Sequence, residues 1–92
     1  MRVVESQMLE IIGKKTTKSF SNMQVVYNPT TDTSDVYLFG NHIAAYKHGQ
    51  GVEVNKDTLF EFPTPTTCSR LRALGVRVNV VHGFPHIDGI PI

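Results

Sequence analysis

VYLFGNHIAAYK, residues 36–47, decides the fold. Val36 to Phe39 is rich in β-branched and aromatic residues, and Ile43 to Tyr46 runs on in the same manner after Gly40-Asn41. Residues that tolerate positive φ between two apolar runs are the strongest short-range signal for a β-hairpin, with Gly40-Asn41 as its two-residue turn. Downstream, HGQG at 48–51 makes the next turn, Val52 to Val54 alternates as a strand, and TLFEF at 58–62 reads as a further extended piece. Upstream, TTKSFSNMQVVY at 16–27 reads as two strands turning at Ser21-Asn22, and Asn28 to Asp35 as a polar loop opened by Asn-Pro.

Helical periodicity brackets this meander. Val4, Met8, Ile11 and Ile12 share one face of a helix over residues 3–12, and Gly13 is its stop. Lys14, Lys15 and Lys18 follow, where positive charge suits the C-terminal end of the helix dipole. FPTPTTCSRLRALG at 62–75 supplies a second helix. Thr64 is the N-cap, Pro65 sits at the first helical position and Gly75 stops it. Thr67, Cys68, Leu71 and Leu74 share its inner face, with Arg70 and Arg72 flanking that face and expected to reach solvent. VRVNVV at 76–81 alternates as a strand, His82-Gly83 and Asp88-Gly89 are turns, and Pro91 confines the last residues to an edge. The expectation is an α+β fold, an antiparallel sheet (meander plus C-terminal hairpin) with two short α-helices, in a single domain over residues 1–92.

Composition narrows the function. A chain of 92 residues buries only roughly 60–65% of its unfolded surface, so most of its 40% hydrophobic residues are needed in the core and little room remains for a cofactor. The net charge of +1 excludes both a broadly basic nucleic-acid coat and an acidic imitation of a phosphate backbone. The single cysteine, Cys68, cannot form an internal disulfide, and no C-x-x-C pair exists for zinc. Glu5, Ser6, Gln7 and Glu10 interrupt the apolar start, and no run reaches the ~20 apolar residues of a membrane span, so the chain is read as soluble and intracellular.

Candidate catalytic groups lack their companions. A thiol in the first turn of a helix can be activated by a histidine, and His42, His48, His82 and His86 are available, but no cysteine-hydrolase pattern surrounds Cys68. His82 and His86 have the H-x-x-x-H spacing of a helical metal pair, yet Gly83 and Pro85 forbid the helix. Gly49-Gln50-Gly51 lacks the following helix and lysine of a phosphate cradle. The reading is a non-enzyme without metal or cofactor. What stands out is charge: Arg70, Arg72 and Arg77 lie between Phe62 and Ile87 with no acid among them, and Lys14, Lys15 and Lys18 form a second cluster. These six residues are the candidate partner-binding set, against the bland alternative of a solvated helix face.

FGNHIAAY followed by FPTPTTCSRLRALGVRVNVVHGFPHIDG resembles a family of small phage proteins. The matching positions are Gly40, Asn41, Ile43, Ala44, Thr64, Pro65, Thr66, Thr67, Arg70 and Leu71, within a resemblance that spans about residues 14–90. Pro63 stands where that pattern carries an aromatic. These are turn, cap and core positions, which speak to fold more than to activity. The whole chain also resembles phage anti-CRISPR proteins of type I-F. That resemblance implies a monomer without membrane partner or cofactor, acting in the host bacterial cytoplasm. It would bind the CRISPR-Cas surveillance complex (Cas proteins, with the crRNA backbone as a further contact) and exclude target DNA sterically. The alternative is a small phage accessory protein that binds nucleic acid weakly through its basic face, an affinity that would fall steeply with salt.

Overall fold

The computed structural model describes residues 2–92. Its elements are α1 (Val3–Gly13), β1 (Lys18–Phe20), β2 (Met23–Asn28), β3 (Thr33–Leu38), β4 (Asn41–Lys47), β5 (Gly51–Val54), α2 (Lys56–Glu61), α3 (Pro65–Ala73), β6 (Val78–Val81), β7 (Phe84–Ile87) and β8 (Ile90–Pro91). The fold is α+β. Strands β1 to β5 form one antiparallel meander in sequence order, and β6 to β8 form a second, three-stranded antiparallel sheet. Among the described residues no helix is long and apolar enough to cross a membrane.

The three helices pack on one face of the meander, α1 against β2, and α2 and α3 against β4. Alternation along β2 and β3 sends Met23, Val25, Val36 and Leu38 inward, where they meet Met8 and Ile12 of α1, Leu59 of α2 and Leu71 of α3. Each fully buried Leu, Ile, Val or Met contributes roughly 1.5–3 kcal/mol. Val36 pairs with Ala44 and Tyr37 with His42, so Ile43 is the extra residue of a β-bulge. The bulge lets two successive residues, Ile43 and Ala44, both face the core, which strict alternation forbids.

Three local readings change. The hairpin turn is Phe39-Gly40 rather than Gly40-Asn41: Leu38 pairs with Asn41, and both turn residues have positive φ (50° and 79°) as a type I′ turn requires. Asp88-Gly89 keeps its expected position, with φ of 54° and 77° between paired Ile87 and Ile90. Asn28 to Asp35 is mostly strand, because Asn28 pairs with Thr33 and Val26 with Asp35, leaving only residues 29–32 as the loop. Ser34, polar in sequence, is fully buried, and its hydroxyl is satisfied by Nε2 of His48 at 2.9 Å. Finally, TLFEF lies largely in a third helix, α2, rather than in an extended piece. Asn55 caps it by accepting the Thr58 N–H at 3.2 Å, and Pro63 prevents it from continuing. Only Leu59 of α2 is buried, so the Thr and Phe residues that suggested a strand reflect composition rather than packing.

The cap of α3 is as the sequence predicts. Thr64 Oγ1 accepts the Thr67 N–H at 3.2 Å, Pro65 opens the helix and Gly75 follows its end at φ 95°. Thr67, Cys68, Leu71 and Leu74 are all buried on its inner face.

Candidate partner-binding surface

The six basic residues proposed from sequence do not form one surface. Arg70 is the clearest departure, being only 3% exposed rather than reaching solvent. Its Nη1 donates to Glu5 Oε2 at 2.8 Å, and Nη2 is 3.5 Å from Asn22 Oδ1. Ser69 Oγ donates to the same Glu5 oxygen at 2.5 Å. The partner was invisible locally because Glu5 lies 65 residues away in α1. Burial pushes the Glu5 carboxyl up. Hydrogen bonds from Ser69, Arg70 and the Arg2 N–H, with the Arg70 charge, more than offset this and hold it below the usual carboxylate value. Arg70 Nε is buried without a partner. Arg70 therefore clamps α3 to α1 and to the β1–β2 turn.

Two of the lysines are also engaged. Lys14 Nζ bonds Glu10 at 2.8 Å one helical turn back, and Lys15 Nζ bonds Asp32 at 3.0 Å. Asp32 is held below its ordinary value by the Tyr27 hydroxyl, which donates at 2.6 Å, and then by Lys15. Lys18, Arg72 and Arg77 make no ion pair among the described residues. Lys18 lies on the edge strand β1, and with Lys14, Gln7 and Phe20 it lines a groove of about 220 Å³. Arg72 Nε donates to the Val78 carbonyl at 3.1 Å, which sets its guanidinium along the open edge of β6. Arg77 is exposed immediately before β6.

The catalytic candidates are likewise occupied. Cys68 is buried, and burial pushes its thiol up, with the Arg72 charge countering only in part. His48 is held by Ser34 and lies edge-on to Tyr27 and Tyr46. His42 Nε2 bonds Asp35 at 2.9 Å while Asn55 Nδ2 meets its Nδ1 at 3.2 Å, a chain that ties the cap of α2 to the outer face of the meander. Because Asn55 Oδ1 already accepts the Thr58 N–H, its amine faces the ring, and the His42 Nε2–H must be the one donated to Asp35. His82 stands in a turn at φ 51°. His86 Nδ1 donates to the Phe84 carbonyl at 2.8 Å. Among the described residues no group of three or more His, Cys, Asp or Glu could hold a metal ion.

The feature that charge counting missed is apolar. Phe39 is 71% exposed and Phe62 39%. They flank a groove of about 360 Å³ lined also by Leu38, Ile43, Thr58 and Thr64. Phe39 holds its position because its N–H donates to the Asn22 carbonyl at 2.8 Å. Phe60 is exposed on α2. The nearest signal in sequence was the Phe39-Gly40 dipeptide itself, since a bulky residue before the glycine is forced into the left-handed region once the register is known.

No curated protein and no solved structure gives a significant match to the chain. The profile of the family described as Kyanoviridae Gp96 protein matches residues 1–83, nearly the whole length. The chain therefore belongs to the Kyanoviridae Gp96 family of small phage proteins.

Proposed function

We propose that this phage accessory protein acts by binding a host protein assembly rather than by catalysis, and that the groove between Phe39 and Phe62 is its contact site. The observation that carries the reading is Phe39. It stands at φ 50°, where a residue with a Cβ is strained by roughly 1–2 kcal/mol, and the covered part of its ring does no more than offset that. Asn or Gly at this turn would relieve the strain, so nothing in the stability of the fold asks for phenylalanine there. An exposed aromatic beside an apolar groove is what a protein interface uses as an anchor. Lys18, Arg72 and Arg77, without ion pairs among the described residues, supply cations for acidic side chains or phosphates elsewhere on the surface.

The resemblance to type I-F anti-CRISPR proteins supplies the specific partner in this proposal. The protein would wedge between subunits of the CRISPR-Cas surveillance complex (Csy/Cascade) in the host cytoplasm and exclude target DNA sterically, with no cofactor or metal. Interferometry on the immobilised complex tests it. The native chain binds and Phe39→Asn with Phe62→Ser weakens binding at least tenfold, about 1.4 kcal/mol, while both proteins remain folded. A native chain that fails to bind the complex removes that partner, and an unchanged affinity in the double variant removes the groove.

A further inference from the structure

We infer that the outer face of the β6–β8 sheet binds single-stranded DNA, a partner and a surface separate from the groove at Phe39. Register places Asn79 opposite His86, Val81 opposite Phe84 and His86 opposite Pro91, so these five side chains share one face. That face is open: Phe84 is 59% exposed and Val81 42%. Arg77 lines the same concavity of about 510 Å³ with Asn79, Val81 and His86. Arg72 reaches the open edge of the same sheet through the Val78 carbonyl.

The chemistry of this face is that of a strand of bases and phosphates. Phe84 offers an aromatic plane with Val81 and Pro91 beside it, a platform on which a base can stack whatever its identity. Both arginines lack ion pairs among the described residues, and their guanidinium forks suit phosphate oxygens. The internal hydrogen bonds of the polar pair settle what it can present. His86 Nδ1–H is donated to the Phe84 carbonyl, which leaves Nε2 outward, and Asn79 Oδ1 accepts the Val80 N–H, which leaves its amide donors outward. A base edge needs one donor and one acceptor of this kind. Asp88, at the rim with Gly89, is the carboxylate bordering the concavity. Within the concavity Asp88 offsets Arg77, so the surplus cation of this sheet is Arg72 at the edge of β6. A duplex keeps its base faces stacked and cannot use Phe84, so the occupant is single-stranded, and three short strands accommodate about two or three nucleotides.

Fluorescence anisotropy with a labelled thymidine dodecamer at about 50 mM salt tests the inference. The native chain binds, with log affinity falling against log salt at a slope of about 1.4, as expected for two phosphates on a single strand. Phe84→Ala, at an exposed position, keeps the melting temperature and weakens binding about tenfold or more. Arg72→Gln with Arg77→Gln brings the salt slope close to zero. Phe39→Asn leaves DNA binding unchanged, which separates this surface from the protein groove. Absence of binding by the native chain, an unaltered affinity in Phe84→Ala, or tighter binding of the matching duplex or RNA strand overturns the inference.

Discussion

Removing the guanidinium of Arg70 is the sharpest test of how this chain is held together. Read as a surface arginine, Arg70 could be reversed to glutamate with little effect on melting. In the structure its guanidinium is, among the described residues, the sole cation on Glu5, itself only 4% exposed. Arg70→Ala leaves a buried carboxylate with only the Ser69 hydroxyl and the Arg2 N–H for compensation. Breaking a buried pair from one side costs about 3–5 kcal/mol. A 92-residue domain has a total stability of roughly 5–14 kcal/mol. At roughly 4–8 °C per kcal/mol, the melting temperature falls by about 12–40 °C. Arg70→Glu is worse, since it sets a second carboxylate against Glu5.

The pH dependence gives an independent readout from the same group. In the native chain the folded Glu5 pKa lies below its ordinary 4.5, so the pair's contribution is fully present above that value and is lost as pH falls through the folded pKa. In Arg70→Ala the Ser69 and Arg2 hydrogen bonds remain but the cation is gone, so burial counts for more, the folded pKa rises above that of the native chain, and the variant loses less stability as pH falls. The stability gap between the two proteins therefore narrows on acidification from pH 7 toward about 4. Urea denaturation followed by far-ultraviolet circular dichroism at each pH measures the gap. Replacing both partners, Glu5→Leu with Arg70→Met, restores melting to within a few degrees, because neither charge is then stranded. A loss below about 1 kcal/mol in Arg70→Ala, or a gap that widens in acid, would refute the reasoning.

Other expectations follow from single positions. Gly89→Val puts a β-branched residue at φ 77° and should cost about 1–3 kcal/mol in chemical denaturation, with an unchanged midpoint counting against the Asp88-Gly89 turn. Cys68→Ala should cost about 1 kcal/mol from lost packing and leave partner binding intact, and the native thiol should react slowly with Ellman's reagent at neutral pH because burial raises its pKa. Phe39→Asn exchanges roughly 60 Å² of covered ring, about 1.5 kcal/mol, for relief of about 1–2 kcal/mol of strain, so its thermal midpoint should stay within a few degrees of native.

The sequence was most legible where a residue's role is decided by its immediate neighbours. Thr64-Pro65 specifies a helix start by an oxygen three residues from the N–H it accepts and by a fixed φ, and Asp88-Gly89 specifies a turn by two tolerant backbones. Gly40 was less decisive. A type I′ turn can take Gly at its second central position as readily as at its first, so the hairpin was evident but its register depended on which neighbour entered the core. The Ile43 bulge is the residue that resolves it, and a bulge leaves no mark in a pattern read by twos. Asn55 was available as a cap for α2, but the aromatic and β-branched residues after it weighed toward a strand.

Charge was the least legible property, for a reason that bears on both proposals. An arginine read from sequence has an unknown partner, and the nearest acid in the chain is seldom the nearest in space. The acid-free stretch from Phe62 to Ile87 looked like one cationic face, yet the fold carries Glu5 across to neutralise Arg70 while Arg72 and Arg77 make no ion pair among the described residues. The same fold gives the other two a different setting, Arg72 at the open edge of β6 and Arg77 immediately before that strand, on the small sheet that also carries exposed Phe84. Two free cations on a bare helix would add little to affinity or stability. Two cations on the same small sheet as an exposed aromatic can hold phosphates while the ring stacks on a base, and it is that combination, rather than the count of arginines, that gives the surface its chemistry.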